Sequence, residues 1–276
     1  MNTRKLILSV AAAFSLSEMI CCADLPGTLP VMGDHTTVTL SCNGRQVEEL
    51  SGLCLSKDGD FLWGVGDKGH LYRINFDYSF EEVWTCNADM EGITIDPVTG
   101  DLYIGLESSS KSVYRLPAPG YNSKVDVPIL VEGVATMGNS GVEGIAWHHG
   151  NLYFGTQTGA WLFEYDLEGN QLSKKSLRTL TSTISEVGDL CYDPVSDCLW
   201  ALDSNSNKDR PQYLPFTLYL FNGDATELLA TYSLADFANL NPEAVCVDRA
   251  HNCIWVADDC DSGNPSKLHK IEFTNL

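Results

Sequence analysis

Acidic side chains recur at equivalent places along the chain. Five short apolar segments begin with Ser51, Glu91, Glu143, Gly188 and Glu243, and Asp189 stands beside Gly188. The segments that follow them end at Asp67, Glu107, Gln157, Ser204 and Asp259, with Asp203 and Asp258 adjacent. Carboxylates brought close together cannot all stay ionised unless a cation or raised pKa values relieve them. An all-oxygen donor set suits hard cations, Ca²⁺ or Mg²⁺. Glu91, Glu143, Asp189, Glu243, Asp67, Glu107 and Asp259 are therefore the candidate metal ligands, and Ca²⁺ is the candidate cofactor. A plainer reading competes: an acid at a strand start accepts backbone N–H groups from its neighbour, and acidic loops are commonly just solvated.

Other chemistry is sparse. Asp203-Ser204-Asn205-Ser206-Asn207-Lys208 begins like a calcium loop, but Lys208 replaces the turn glycine and Leu214 the closing glutamate. Ser140 lacks the second glycine of a hydrolase elbow. His148, His149 and His251 fall in turns and are expected to be exposed. Catalytic residues are not assigned. Cys191 with Cys198, and Cys246 with Cys253, occupy equivalent positions and are disulfide candidates across adjacent strands. Buried free thiols are the alternative.

The elements that must position these groups form an internal repeat. Glu49–Ser56 aligns with Glu186–Asp193, and the alignment runs without a gap into Phe61-Leu62-Trp63 and Cys198-Leu199-Trp200. Asn241–Asp248 with Cys253-Ile254-Trp255, Met90–Asp96 with Leu102-Tyr103, and Val142–Trp147 with Leu152-Tyr153 share the frame. Each copy has a third strand pattern. Four have a fourth, at Glu82–Trp84, Ile129–Val131, Leu172–Leu177 and Leu228–Tyr232.

Short strands in fours at this spacing predict an all-β fold, a five-bladed β-propeller. The blades are expected at about 45–86, 89–132, 141–177, 186–234 and 241–273. The fifth copy ends too early for its own fourth strand. The strand at 36–42 is expected to complete it and close the ring.

Arg4 and Lys5, the apolar stretch Leu6–Phe14 and the small residues before Asp24 form a secretory leader pattern over 1–23, leaving 24–276 as one domain. Cleavage after Ala23 is one reading; lipoprotein anchoring at Cys21 or Cys22 is the other. Both place the protein outside the cytoplasm, in the periplasm or at the cell surface. No transmembrane helix is expected in the mature chain, and a monomer is. The net charge of −20, from 17 Lys plus Arg against 37 Asp plus Glu, argues against nucleic-acid partners, which need clustered cations.

Several motifs carry a family resemblance. They are Asp89-Met90-Glu91-Gly92-Ile93, Val142-Glu143-Gly144-Ile145-Ala146, Gly188–Pro194 with Leu199–Asp203, and Pro242-Glu243-Ala244-Val245 with Val256–Asp259. Over about 45–273 the chain resembles the SdiA-regulated propeller proteins and the neighbouring esterase-like phytase family. That resemblance implies an exported, envelope-associated bacterial propeller. Its phytase-like side implies phosphoester hydrolysis, although Ala244 stands where glycine is usual and Ser51 and Gly188 interrupt the acidic ring. Two functions are therefore carried forward. One is a binding or envelope-associated module for a small ligand or envelope component. The other is a metal-dependent phosphoesterase or esterase.

Overall fold

The computed structural model describes residues 28–107, 112–133, 141–204, 216–236, 241–260 and 263–276. The leader with Cys21 and Cys22, Ser140 and Lys208 lie outside the described residues. The chain opens with β1 (Val31–Thr39) and a small hairpin, β2 (Ser41–Cys42) with β3 (Arg45–Gln46). Blade 1 is β4 (Leu50–Leu55), β5 (Phe61–Gly66), β6 (His70–Asn75) and β7 (Phe80–Thr85). Blade 2 is β8 (Met90–Ile95), β9 (Leu102–Leu106), β10 (Val113–Leu116) and β11 (Val125–Asp126). Blade 3 is β12 (Val142–His148), β13 (Asn151–Thr156), β14 (Trp161–Tyr165) and β15 (Gln171–Ser176). Blade 4 is β16 (Asp189–Asp193), β17 (Cys198–Asp203), β18 (Thr217–Asn222) and β19 (Leu228–Ser233). Blade 5 is β20 (Pro242–Asp248), β21 (Cys253–Asp258), β22 (Lys267–Thr274) and, returning from the N-terminus, β1.

The five-bladed propeller expected from the repeat is the fold. β1 pairs antiparallel with β22, Val38 opposite Leu268, so the first described strand seals the last blade's edge. It begins earlier than expected and stops at Thr39, because Ser41 and Cys42 turn off into the hairpin with Arg45 and Gln46. Tyr232 donates to the Pro30 carbonyl at 2.7 Å and ties this strand to blade 4.

Each pair of neighbouring blades shares an apolar core. Trp63, Tyr103, Tyr153, Trp200 and Trp255 hold the same place in the five second strands, and all are buried. Their rings fill the gap to the adjacent blade, as Trp200 does between Tyr232 and Phe273. The inner strands β4, β8, β12, β16 and β20 touch in a closed cycle around the axis. Their spacing is tight. A Cβ on Gly92 would lie 2.8 Å from the Glu143 carbonyl oxygen, and one on Gly144 would lie 2.6 Å from the Leu190 nitrogen. The glycine of each Glu-Gly pair therefore lets the next inner strand approach.

Two expectations require correction. Ile129–Val131 is not the fourth strand of blade 2; that role falls to β11. Ile129 and Val131 are buried instead as an irregular segment packed against blade 3, fastened through Ser112. His148, expected to be exposed in a turn, ends β12 and is buried. Among the described residues no helix is long and apolar enough to cross a membrane.

Candidate functional site

The acids at the strand starts are aimed by a backbone device. In blades 1, 2, 3 and 5 the ladder between the first two strands skips one residue, and the skipped residues are Ser51, Glu91, Glu143 and Glu243. Each is a β-bulge, which turns its side chain out of the normal alternation. In blade 4 the ladder begins at Asp189, opposite Leu202, and the Gly188 N–H donates to the same Leu202 carbonyl at 2.8 Å, so Gly188 holds the place that the acids hold in blades 2, 3 and 5. Asp189 stands in the glycine column of the repeat, one residue beyond the acid column, and a one-residue step reverses the face a side chain takes. It consequently leaves the acidic group. Fully buried, it accepts the backbone N–H groups of Leu190 and Val245 at 2.8 Å each, and that of Leu53. Burial pushes its pKa up and those N–H groups oppose the push. Asp189 stitches blades 1, 4 and 5 together.

Two of the other predicted ligands, Asp67 and Glu91, come together with Asp89. One oxygen each from Asp67, Asp89 and Glu91 fall within 4.8 Å of one another. Glu91 is 8 % exposed. Burial, then the charges of Glu143, Asp67, Asp89 and Glu243, hold its pKa well above the ordinary carboxylate range. Glu143 is raised in the same direction by burial and by Glu107, Glu243, Glu186 and Asp67. Burial and Asp259 push Glu243 up to about 8, although Asn241 donates to it at 3.2 Å. Glu107 is raised to about 7 by burial and its hydrogen bond with Asp89. Asp67 is raised to about 6, again by burial first, with Ser51 donating to it in opposition.

Glu143 Oε1 and Asp89 Oδ1 are buried without a hydrogen-bond partner. Such atoms cost roughly 1–3 kcal/mol each when left unsatisfied. Among the described residues, Lys68 follows directly on Asp67 of this mouth. Lys68 spends its ammonium on Glu48 and Glu49, both at 2.9 Å. Asp203 and Asp258 take no part: Asp203 accepts from the Ser185 backbone and hydroxyl at 3.0 Å, and Asp258 from the Lys267 N–H at 2.5 Å. Asp89 and Glu186 belong to the acidic group and were absent from the candidate ligands. Glu186, fully buried, accepts from Ser204 at 2.7 Å.

The opposite end of the axis holds a different space. A cavity of about 430 Å³ is lined by Leu53, Ile93, Trp147, Leu190, Tyr192 and Val247, and the thiols of Cys54, Cys191 and Cys246 border it. Its rim carries Arg249 clamped on Asp193, and Lys57, which donates to the Val98 carbonyl at 2.6 Å. Burial pushes Cys54 up, and its bond with Cys191 does the same for Cys246, so these are protonated thiols. Cys191 lies across from Trp200 and Cys198 from Asp193. Cys246 likewise faces Trp255, and Cys253 faces Asp248. The four disulfide candidates thus sit diagonally along their ladders rather than opposite one another, and all stand as thiols.

No protein-family model matches the chain, and no curated protein matches it. Solved structures do. A gluconolactonase from Xanthomonas campestris is 12 % identical, with a TM-score of 0.55 over 88 % of this chain and 91 % of that one. A luciferin-regenerating enzyme is 10 % identical, with a TM-score of 0.54 over 87 % and 95 %. A Bacteroides thetaiotaomicron protein of unknown function is 11 % identical, with a TM-score of 0.54 over 87 % and 76 %. At such identities the likeness is one of fold.

Proposed function

We propose that this propeller is an exported binding module whose acidic mouth holds a hard divalent cation, Ca²⁺ first. The observation that carries the reading is the pair of buried, partnerless oxygens, Glu143 Oε1 and Asp89 Oδ1, inside a group of carboxylates that raise one another's pKa values. A cation accepts those lone pairs and removes the repulsion in one step. Glu91, Glu143, Glu243, Asp67, Glu107 and Asp259 are the proposed ligand set; the place of Asp89 beside Asp67 and Glu91 supports adding it, and the backbone bonds of Asp189 support leaving that residue out. Export is supported by the basic, apolar and small-residue order of 1–23, and kinship with the SdiA-regulated propellers by the recurring Glu-Gly motifs. The apolar cavity at the far end of the axis is the place for a small organic ligand.

A second reading makes the ion catalytic. Glu107 at about 7 and Glu243 at about 8 lie in the range of working acids and bases, and a cation beside them activates water for ester or lactone hydrolysis. The gluconolactonase among the structural neighbours favours that substrate class over a phosphoester. The engagement of Lys68 by Glu48 and Glu49 does the same, since a phosphate needs cationic partners. Melting of metal-free protein with and without Ca²⁺, beside an esterase, lactonase and phosphatase screen, separates the cases. Calcium-dependent stabilisation without turnover supports the binding module. Turnover that is lost with chelator and in Glu91→Gln supports the hydrolase. Absence of any Ca²⁺ response rejects both.

A further inference from the structure

We propose a second metal site, for a borderline divalent transition ion of the Zn²⁺ class, formed by His148, His149 and Asp197 where blades 3 and 4 meet. One ligand atom from each lies within 4.8 Å of the other two. His148 is 4 % exposed and its ring stacks on Tyr153 at 4.2 Å between centroids. Its Nδ1 stands 3.3 Å from Glu164 Oε1, and Glu164 is itself fixed by Asn151 at 3.1 Å and Ser173 at 3.3 Å. Its Nε2 is buried and has no hydrogen-bond partner. A carboxylate behind one nitrogen and nothing on the other is the arrangement that orients an imidazole toward a metal.

The other two ligands stand at the surface, in turns. His149 and Asp197 are 64 % and 49 % exposed, 3.7 Å apart, and both sit at turn positions with positive φ. The Tyr192 hydroxyl bridges them, 2.9 Å from His149 Nε2 and donating to Asp197 Oδ1 at 2.8 Å. Room for the carboxylate depends on Gly223, where a Cβ would fall 2.0 Å from Asp197 Oδ1. Two imidazoles with one carboxylate suit Zn²⁺ and not Ca²⁺, so this site is chemically distinct from the acidic mouth and does not depend on it. His149 and Tyr192 also line the apolar cavity, so an ion here borders that space.

The test is calorimetric titration of the full metal-free chain with Zn²⁺ in excess Ca²⁺, repeated with Co²⁺ followed by visible absorption. Wild type is expected to bind one Zn²⁺ that Ca²⁺ does not displace. The double variant His149→Asn/Asp197→Asn keeps residues that tolerate positive φ, and it is expected to lose at least ~100-fold in affinity together with the Co²⁺ band. Glu164→Gln is expected to weaken binding by ~10–100-fold at unchanged stoichiometry, as loss of an orienting carboxylate does. Glu91→Gln/Glu143→Gln is expected to keep this site intact. Failure of wild type to bind Zn²⁺, wild-type affinity in the double variant, or loss of the site in Glu91→Gln/Glu143→Gln each overturns the proposal.

Discussion

Calcium affinity at the acidic mouth is expected to rise steeply between pH 6 and pH 8. Glu243 titrates at about 8 and Glu107 at about 7, each raised from an ordinary 4.5. The groups responsible are Asp259, Asp67 and Glu186 around Glu243, and Asp89 and Asp67 around Glu107. Asn241 pulls Glu243 the other way. A ligand carboxyl must lose its proton to bind the ion. At pH 6 Glu243 is only ~1 % ionised and at pH 8 about half, so its proton alone weakens binding ~50-fold at the lower pH. Glu107 adds up to ~10-fold, and solvent screening of this half-buried group reduces its share, so the whole effect lies between ~50- and ~500-fold. The sign for the metal-free protein is opposite. A carboxyl whose folded pKa is raised contributes stability below its unfolded pKa and loses it as pH climbs through the folded one. Metal-free melting temperature should therefore fall from pH 6 to pH 8, and Ca²⁺ should restore it. Titration calorimetry across this range, with Glu243→Gln and Glu107→Gln beside wild type, reads the effect directly. Affinity constant within ~3-fold, or an undiminished slope in both variants, would falsify the assignment of these carboxylates as ligands.

Three further outcomes follow from the scaffold. Asp189→Asn places an amide donor against backbone N–H groups that now share a carboxylate; chemical denaturation should show a loss of ~1–3 kcal/mol with Ca²⁺ affinity unchanged. Gly144→Ala drives a methyl to 2.6 Å from the Leu190 nitrogen, with a destabilisation of ~1–3 kcal/mol by the same assay. Deleting 24–43 uncovers the β22 edge and should produce aggregation visible in light scattering; a monomer with unchanged melting would contradict closure by β1.

The propeller was legible because its repeat is a packing unit: an apolar inner strand, a second strand with one large aromatic, and a turn between them. The acid column was legible for the same reason. Asp189 leaves the group because standing beside the acid column is not standing in it: a step of one residue reverses the face a side chain takes. Gly188 holds the acid column in blade 4, and Asp189 stands one residue on, in the column that Gly92 and Gly144 hold in blades 2 and 3. Asp89 and Glu186 precede their strands, where no periodicity marks a direction. Ile129–Val131 has the composition of a strand, yet the Ser112 hydroxyl, accepting from the Val131 N–H, and the Ser112 N–H, donating to the Ile129 carbonyl, hold it as an irregular segment. The burial of His148 was readable in part: β12 alternates inward at Ala146 and His148 around a half-exposed Trp147. The apolar cavity left no mark, since its walls are the ordinary far ends of inner strands.

A crystal structure of the protein grown in Ca²⁺ shows whether a hard cation occupies the acidic mouth. One ion is expected, held by Glu91 and Glu143, with further oxygens from Asp67, Asp89, Glu107, Glu243 or Asp259 at about 2.3–2.6 Å. A mouth containing only water, with its carboxyl groups paired oxygen to oxygen through shared protons, would contradict it.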